Sequence, residues 1–212
     1  MCCSEVNVID LAGKLIALEG LDFTGKSTLA RLLKARLADA GYAVLTTREP
    51  GGTAVGERVR RLLLTREHDE MLPLSELLLF MVSRAQHADE VLLPALRAGQ
   101  TVLTSRYRLS SLAYQGYGRG LDLDLIRSLN AAATQGREAD LTCLIDVPVP
   151  VALRRKRGEG DRIEREDEPF YERVRAGYLA LAAEDPRVRV IDGTPPVDRV
   201  CDAVAECLDL AF

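Results

Sequence analysis

The chain has 212 residues, with 28 Lys plus Arg against 32 Asp plus Glu and a formal net charge of −4. At this length, and with 47% hydrophobic residues, folding buries about 70% of the extended chain's surface, which excludes disorder as the organising theme and makes disulfide or metal staples unnecessary. The acidic balance and the lack of a long basic block exclude a nucleic-acid partner, whose binding rests on neutralising phosphates with Lys and Arg, so any anionic ligand must be held locally.

In chain order, Leu15–Leu18 is predicted as a strand, Ser27–Ala40 as a helix and Ala43–Thr46 as a second strand. Val55–Leu64 and Ser75–Ala98 follow as helices, then the strand Thr101–Thr104, the helix Leu123–Thr134 and the strand Leu141–Val147. Val151–Arg157 and Pro169–Ala183 read as helices, Val188–Ile191 as the last strand and Val197–Leu208 as the last helix. Gly41, Gly99 and Gly136 stand where helices should stop. The alternation implies an α/β chain with a mostly parallel sheet. No repeat or low-complexity linker divides it, so residues 1–212 are expected to form a single domain. Two breaks exceed ordinary connections, the Gly- and Pro-rich Arg48–Thr53 stretch and the charged Gly158–Glu168 stretch, and both are expected to be functional loops.

Five cysteines, Cys2, Cys3, Cys143, Cys201 and Cys207, are an odd set for a secreted disulfide framework and lack the paired spacing of a zinc site. The N-terminus has no basic segment leading into an apolar run, and no apolar stretch approaches spanning length. The expected setting is cytoplasmic and reducing, with no membrane partner; Cys2 and Cys3 receive no role.

Gly20-Leu21-Asp22-Phe23-Thr24-Gly25-Lys26-Ser27 fits G-x-x-x-x-G-K-[ST] where a predicted strand hands over to a predicted helix. Glycines allow the backbone to wrap closely, so that successive N–H groups and the helix N-terminus face a β-phosphate. Lys26 would bridge the β- and γ-phosphates, and Ser27 would give its hydroxyl to Mg²⁺. A nucleoside triphosphate is the expected ligand of Gly20 to Thr28. The loop does not by itself say where the phosphate goes. Asn-Lys-x-Asp, which a guanine-reading switch needs, is missing, and a small kinase must hold two anionic nucleotides with arginines from several loops. Arg48, Arg84 and Arg106 follow strands or lie on a long helix, and the strand ends of a parallel sheet open on the phosphate-loop edge. Phe80 and Arg84 share a helix face four residues apart. They read either as a base-stacking ring with an edge-reading fork or as core and solvated surface.

The chain resembles the thymidylate kinases over nearly its whole length. The resemblance is carried by the phosphate loop, Thr47-Arg48-Glu49-Pro50-Gly51-Gly52-Thr53, Leu79-Phe80 followed by Arg84-Ala85-Gln86-His87, Ser110-Ser111-Leu112-Ala113-Tyr114-Gln115-Gly116-Tyr117-Gly118, and Gly160-Asp161-Arg162-Ile163-Glu164. It implies a three-layer α/β P-loop nucleoside monophosphate kinase fold, with five parallel strands flanked by helices and a short lid at about 154–168. It also implies transfer of a phosphoryl group from ATP, with Mg²⁺, to dTMP, and a homodimer formed through the long helices. By resemblance, Arg48 and Arg106 grip the dTMP phosphate, Phe80 stacks on thymine, Arg84 donates to its O4, and Ser111 and Gln115 flank the base. Tyr114 packs at the sugar 2′ position, and Asp22 lies near the 3′-hydroxyl and the metal's water shell. The family carries a catalytic arginine in the phosphate loop or in the lid. Phe23 holds the loop position here, so the lid must supply it, from Arg157 or Arg162.

Two departures stand out. The family's Asp-Arg-Tyr after the third strand is Ser105-Arg106-Tyr107 here, which removes a negative charge beside the metal's water shell; Asp22, Glu49 or Asp146 are the candidate replacements. Phe23 adds bulk beside the triphosphate. Three readings follow: an active dTMP kinase, a nucleotide-binding homologue with weak or lost chemistry, and a kinase for another monophosphate.

Overall fold

The computed structural model describes residues 10–208; Cys2 and Cys3 lie outside them. Five strands, β1 (Leu15–Glu19), β2 (Val44–Arg48), β3 (Thr101–Ser105), β4 (Leu141–Asp146) and β5 (Val188–Asp192), pair in parallel in the order β2-β3-β1-β4-β5. All five lie where the sequence predicts strands.

Every residue of β1 is buried, and its side chains alternate between two cores as a pleated strand requires. Ile16 and Leu18 pack with Leu29, Leu33 and Leu37 of α1 (Lys26–Asp39) and with Val200 and Val204 of α9 (Val197–Cys207). Leu15 and Ala17 face the opposite side, against Leu92, Ala95 and Val102. A strand apolar on both faces marks a sheet covered by helices on both sides, which is the three-layer arrangement. From β1 the chain runs to the edge strand β2, returns to β3, and then crosses to β4 and β5. The order reverses around β1, and in such sheets ligands bind at the carboxyl ends of the strands at that point. Leu18 lies opposite Ser105, and Glu19 opposite Leu144, so the segment after β1 and the segment after β3 leave the sheet side by side.

Four further helices match prediction closely: α2 (Ala54–Leu64), α6 (Leu123–Ala133), α8 (Glu168–Glu184) and α9. Side chains of Thr53, Asp122 and Asp167 accept hydrogen bonds from Gly56, Leu125 and Phe170 N–H, satisfying first-turn donors.

Three segments depart from the sequence expectation. The single helix predicted over Ser75–Ala98 is α3 (Pro73–His87), a π-helical turn at Ala88–Leu92, and α4 (Leu93–Arg97). Pro94 lacks the N–H that would bond Glu90, and the widened turn absorbs that gap. Residues 108–118, predicted as neither helix nor strand, form α5 (Arg108–Ser111) and a second π-helical stretch, Leu112–Gly118. Serines and glycines obscure that helix, but packing explains the glycines. A Cβ on Gly116 would sit 2.4 Å from Leu123, and one on Gly118 would sit 2.7 Å from Phe170. Finally, α7 (Val149–Arg154) starts two residues before its prediction because Pro150 is tolerated in a first turn. It ends three residues earlier, which leaves Arg157 on the following loop.

Candidate active site

The phosphate loop joins β1 to α1. Gly20 has φ 134°, and a Cβ there would lie 2.5 Å from the Ile145 carbonyl oxygen, so only glycine fits. Gly25, at φ 88°, takes the left-handed turn into α1. Phe23 also has a positive φ, 65°, a strained conformation for a bulky residue. Lys26 is buried, and its ammonium donates to the Gly20 carbonyl and Thr24 Oγ1, both at 3.2 Å, and to the Leu21 carbonyl. Burial, then Arg106, push its pKa down to about 7, against the pull of Asp22 and Glu19. Its charge is thus held on the loop's own carbonyls. Ser27 and Thr28 are exposed at the start of α1, and the Ser27 hydroxyl has no hydrogen-bond partner among the described residues.

Against this loop lies a cleft. Asp22, Phe80, Arg84, Arg106, Ser111, Tyr114 and Gln115, seven residues expected at an acceptor nucleotide, all line it. Arg106 adopts φ 70°. From there its guanidinium donates to the Gly20 carbonyl, Ser110 Oγ and Tyr178 Oη, pairs with Asp22, and sits 4.8 Å from the Tyr114 ring. Burial alone would raise the Asp22 pKa, but Arg106 and Lys26 reverse that and hold it below the usual carboxylate range. Tyr114 donates its hydroxyl to Asp22 Oδ2 at 2.9 Å.

Arg84 is 1% exposed. Its Nε donates to Glu49 at 2.6 Å, Nη1 to Ser111 and Asn130, and Nη2 to the Tyr107 carbonyl at 2.9 Å. A guanidinium has five N–H donors, so one on Nη2 is left for the cleft. Glu49 has one oxygen on Arg84 and the other on His87. Asp146 is held bidentately by Arg175, with both bonds at 2.8 Å. Of the three acids considered as replacements for the missing aspartate, Asp22 and Glu49 line the cleft and Asp146 does not; all three have both oxygens engaged, those of Asp22 by Arg106 and Tyr114, and Asp22 alone belongs to the phosphate loop.

Three predicted arginines are placed differently. Arg48, at the end of β2, is 52% exposed and paired with Glu57 at 3.0 Å, outside the cleft. Arg162 is buried, its Nε donating to the Leu63 carbonyl and its Nη2 to Glu76 at 2.6 Å. Arg157 is exposed on the loop between α7 and α8 and forms no ion pair among the described residues. The neighbours of Arg162, Asp161 and Glu164, do reach the cleft.

A second cleft adjoins the phosphate loop, lined by Phe23, Thr24, Gly25, Arg155 and the Gly193–Val197 turn after β5. Arg155 donates to the Gly193 and Thr194 carbonyls there.

Sequence reading missed Glu19, Arg60, Glu76, Asn130 and Tyr178. Glu19, fully buried at the end of β1, accepts N–H groups of Tyr107 and Ser110 and hydroxyls of Ser110 and Tyr178, which in turn support Arg106. Burial nevertheless raises its pKa. The available signal was a carboxylate inside an otherwise apolar strand. Arg60 lines the cleft one helical turn after Gly56.

No helix among the described residues is long and apolar enough to cross a membrane. A sequence profile of the family described as thymidylate kinase matches residues 18–204. The thymidylate kinase of Pelotomaculum thermopropionicum is 48% identical over 188 residues, covering 87% of each chain. That of Nostoc punctiforme is 45% identical over 203 residues, covering 93% of this chain and 96% of the relative. The crystal structure of thymidylate kinase from Ehrlichia chaffeensis superposes with a TM-score of 0.78 at 33% identity, covering 92% of this chain and 98% of that one. On the sheet order, the phosphate loop and these relatives together, the chain belongs to the thymidylate kinase family.

Proposed function

We propose that the chain transfers the γ-phosphoryl group of ATP to dTMP. An oxygen of the dTMP phosphate bonds to the γ-phosphorus as the bond to the β–γ bridging oxygen breaks, giving dTDP and ADP. The observation that carries this is the cleft in which Arg84, Arg106, Phe80 and Tyr114 converge beside Lys26. Arg106 holds the acceptor phosphate, Phe80 stacks on the base, Arg84 donates its remaining N–H to O4, and Tyr114 backs the sugar. Arg48 joins by exchanging Glu57 for phosphate; an exposed pair of this kind contributes only about 0–1 kcal/mol, so the exchange is cheap. The Phe23–Arg155 cleft receives the nucleoside of ATP, and the 154–168 lid supplies Arg157.

The free Ser27 hydroxyl is a hard oxygen donor at the position a phosphate-bound Mg²⁺ requires. When bound with ATP, Mg²⁺ spreads the charge of the transferring group. Leu74, Leu78 and Val82, all 45–48% exposed, form an apolar stripe along α3 at i, i+4, i+8, which supports homodimerisation through this helix. A cytoplasmic location follows from the substrate pool. A coupled ADP-release assay with dTMP, ATP and Mg²⁺ tests the reading, and no turnover would sink it.

Two substitutions probe its parts. Phe80 packs partly into both core clusters around the cleft; Phe80→Ala is expected to weaken dTMP binding by about 1–3 kcal/mol by calorimetry, the range for base–aromatic stacking. Unchanged affinity would return Phe80 to the core. Ser105→Asp is expected to raise kcat at limiting Mg²⁺ by about tenfold, the lower end for groups outside the first coordination sphere, with dTMP affinity unchanged. A flat response would show that Asp22 already carries that role.

A further inference from the structure

Glu76 lies in the first turn of α3, 1% exposed. Its Oε1 accepts from Gln115 Nε2 at 2.9 Å and Arg119 Nε at 3.3 Å, and its Oε2 from Arg119 Nη2 at 3.1 Å and Arg162 Nη2 at 2.6 Å. Burial alone would raise its pKa, but Arg119, Gln115 and Arg162 hold it below the usual range, so it is ionised at neutral pH. An ionised carboxylate only accepts hydrogen bonds. Gln115 must therefore turn its amide nitrogen toward Glu76, and its amide oxygen must point elsewhere. That oxygen has no hydrogen-bond partner among the described residues, and Gln115 lines the acceptor cleft while being 2% exposed overall.

We infer that Glu76 is a positioning residue for acceptor-base selectivity, holding Gln115 in the one amide orientation that presents a carbonyl oxygen to the cleft. The inference rests on the thymidylate reading of that cleft. With the remaining Arg84 N–H, the cleft offers one acceptor and one donor. This pair matches the N3–H and O4 of a 4-oxopyrimidine. Against a 4-aminopyrimidine it sets acceptor against the unprotonated N3 and donor against the amino group, leaving buried polar groups unpaired. An unrestrained glutamine would flip its amide and serve either base at N3; Glu76 removes that freedom.

The test compares dTMP with 5-methyl-dCMP, which differ at N3 and C4, by calorimetry on the full chain. Glu76→Gln can accept or donate, so Gln115 is released. The wild-type preference for dTMP is expected to fall about tenfold or more, the size of one hydrogen-bond discrimination. Loosening of the Arg119 and Arg162 anchors affects both nucleotides alike and cancels in the ratio. An unchanged ratio in a folded variant that binds dTMP overturns the inference.

Should the variant fail to fold, the wild-type chain decides. If the carbonyl oxygen is fixed, 5-methyl-dCMP binds only after its N3 takes up a proton. The dTMP preference then falls about tenfold for each pH unit between 8 and 6, the slope for one linked proton. Phosphate ionisation is common to both nucleotides and cancels. A preference independent of pH overturns the inference. A wild-type chain that binds neither nucleotide overturns the thymidylate reading and the inference with it. One that binds dTMP but shows the unaltered ratios overturns the inference alone.

Discussion

Arg157→Ala is expected to lower kcat by about 10³-fold or more, the range for an arginine that neutralises charge on a transferring phosphoryl group, with little change in melting temperature. Arg157 is exposed, carries no ion pair among the described residues and sits on a loop that α7 no longer includes, so nothing in the resting fold depends on it. Arg162→Ala is expected to act first on stability. It removes a buried partner of Glu76 and a donor to the Leu63 carbonyl, and breaking a buried pair costs about 3–5 kcal/mol. For a chain of this size that lowers Tm by roughly 10 °C. Thermal melts and single-turnover kinetics on both variants separate the roles. An Arg157→Ala enzyme with wild-type kcat, beside an Arg162→Ala enzyme with intact Tm and collapsed kcat, would move the catalytic role to Arg162.

Lys26→Ala is expected to cost about 10³-fold in kcat, as for loss of one preorganised charge stabiliser, while the fold persists, because the ammonium's partners are carbonyls and a hydroxyl of its own loop. Retained turnover would remove the loop from the chemistry. The pKa of about 7 adds a proton signature. A bound polyphosphate favours the charged form and raises that pKa, so at pH 8 ATP binding takes up about one proton. Binding heats that do not vary with buffer ionisation enthalpy would contradict this. The stability sign is the reverse of a salt-bridged lysine. Unfolded, the group titrates at 10.5, and between 7 and 10.5 the unfolded chain holds the extra proton. The burial penalty is therefore full below pH 7 and is relieved as pH rises toward 10.5.

The elements legible in the sequence are those whose cause is local. Five apolar runs became five strands because a sheet covered on both faces buries both sides of its three central strands, while the edge strands β2 and β5 stay partly exposed. Gly20, Gly25, Lys26 and Ser27 were readable because their spacing is a steric and electrostatic requirement of a wrapped phosphate. The 108–118 helix was hidden because its glycines answer to Leu123 and Phe170, which local propensity does not see. Glu19 and Tyr178 are 159 residues apart, and Glu76 and Arg162 are 86 apart; no periodicity connects such pairs.

By itself, the order of residues determined the α/β rhythm, the triphosphate-binding turn and the set of arginines and aromatics available to a second nucleotide. Only the tertiary structure decided which arginines are spoken for: Arg162 by Glu76, Arg84 by Glu49, Ser111, Asn130 and the Tyr107 carbonyl except for one N–H, and Arg48 by Glu57, with Arg157 outside every ion pair among the described residues. The reason is that a charge buried by folding must find a partner wherever the chain brings one, and that partner is chosen by packing between distant segments.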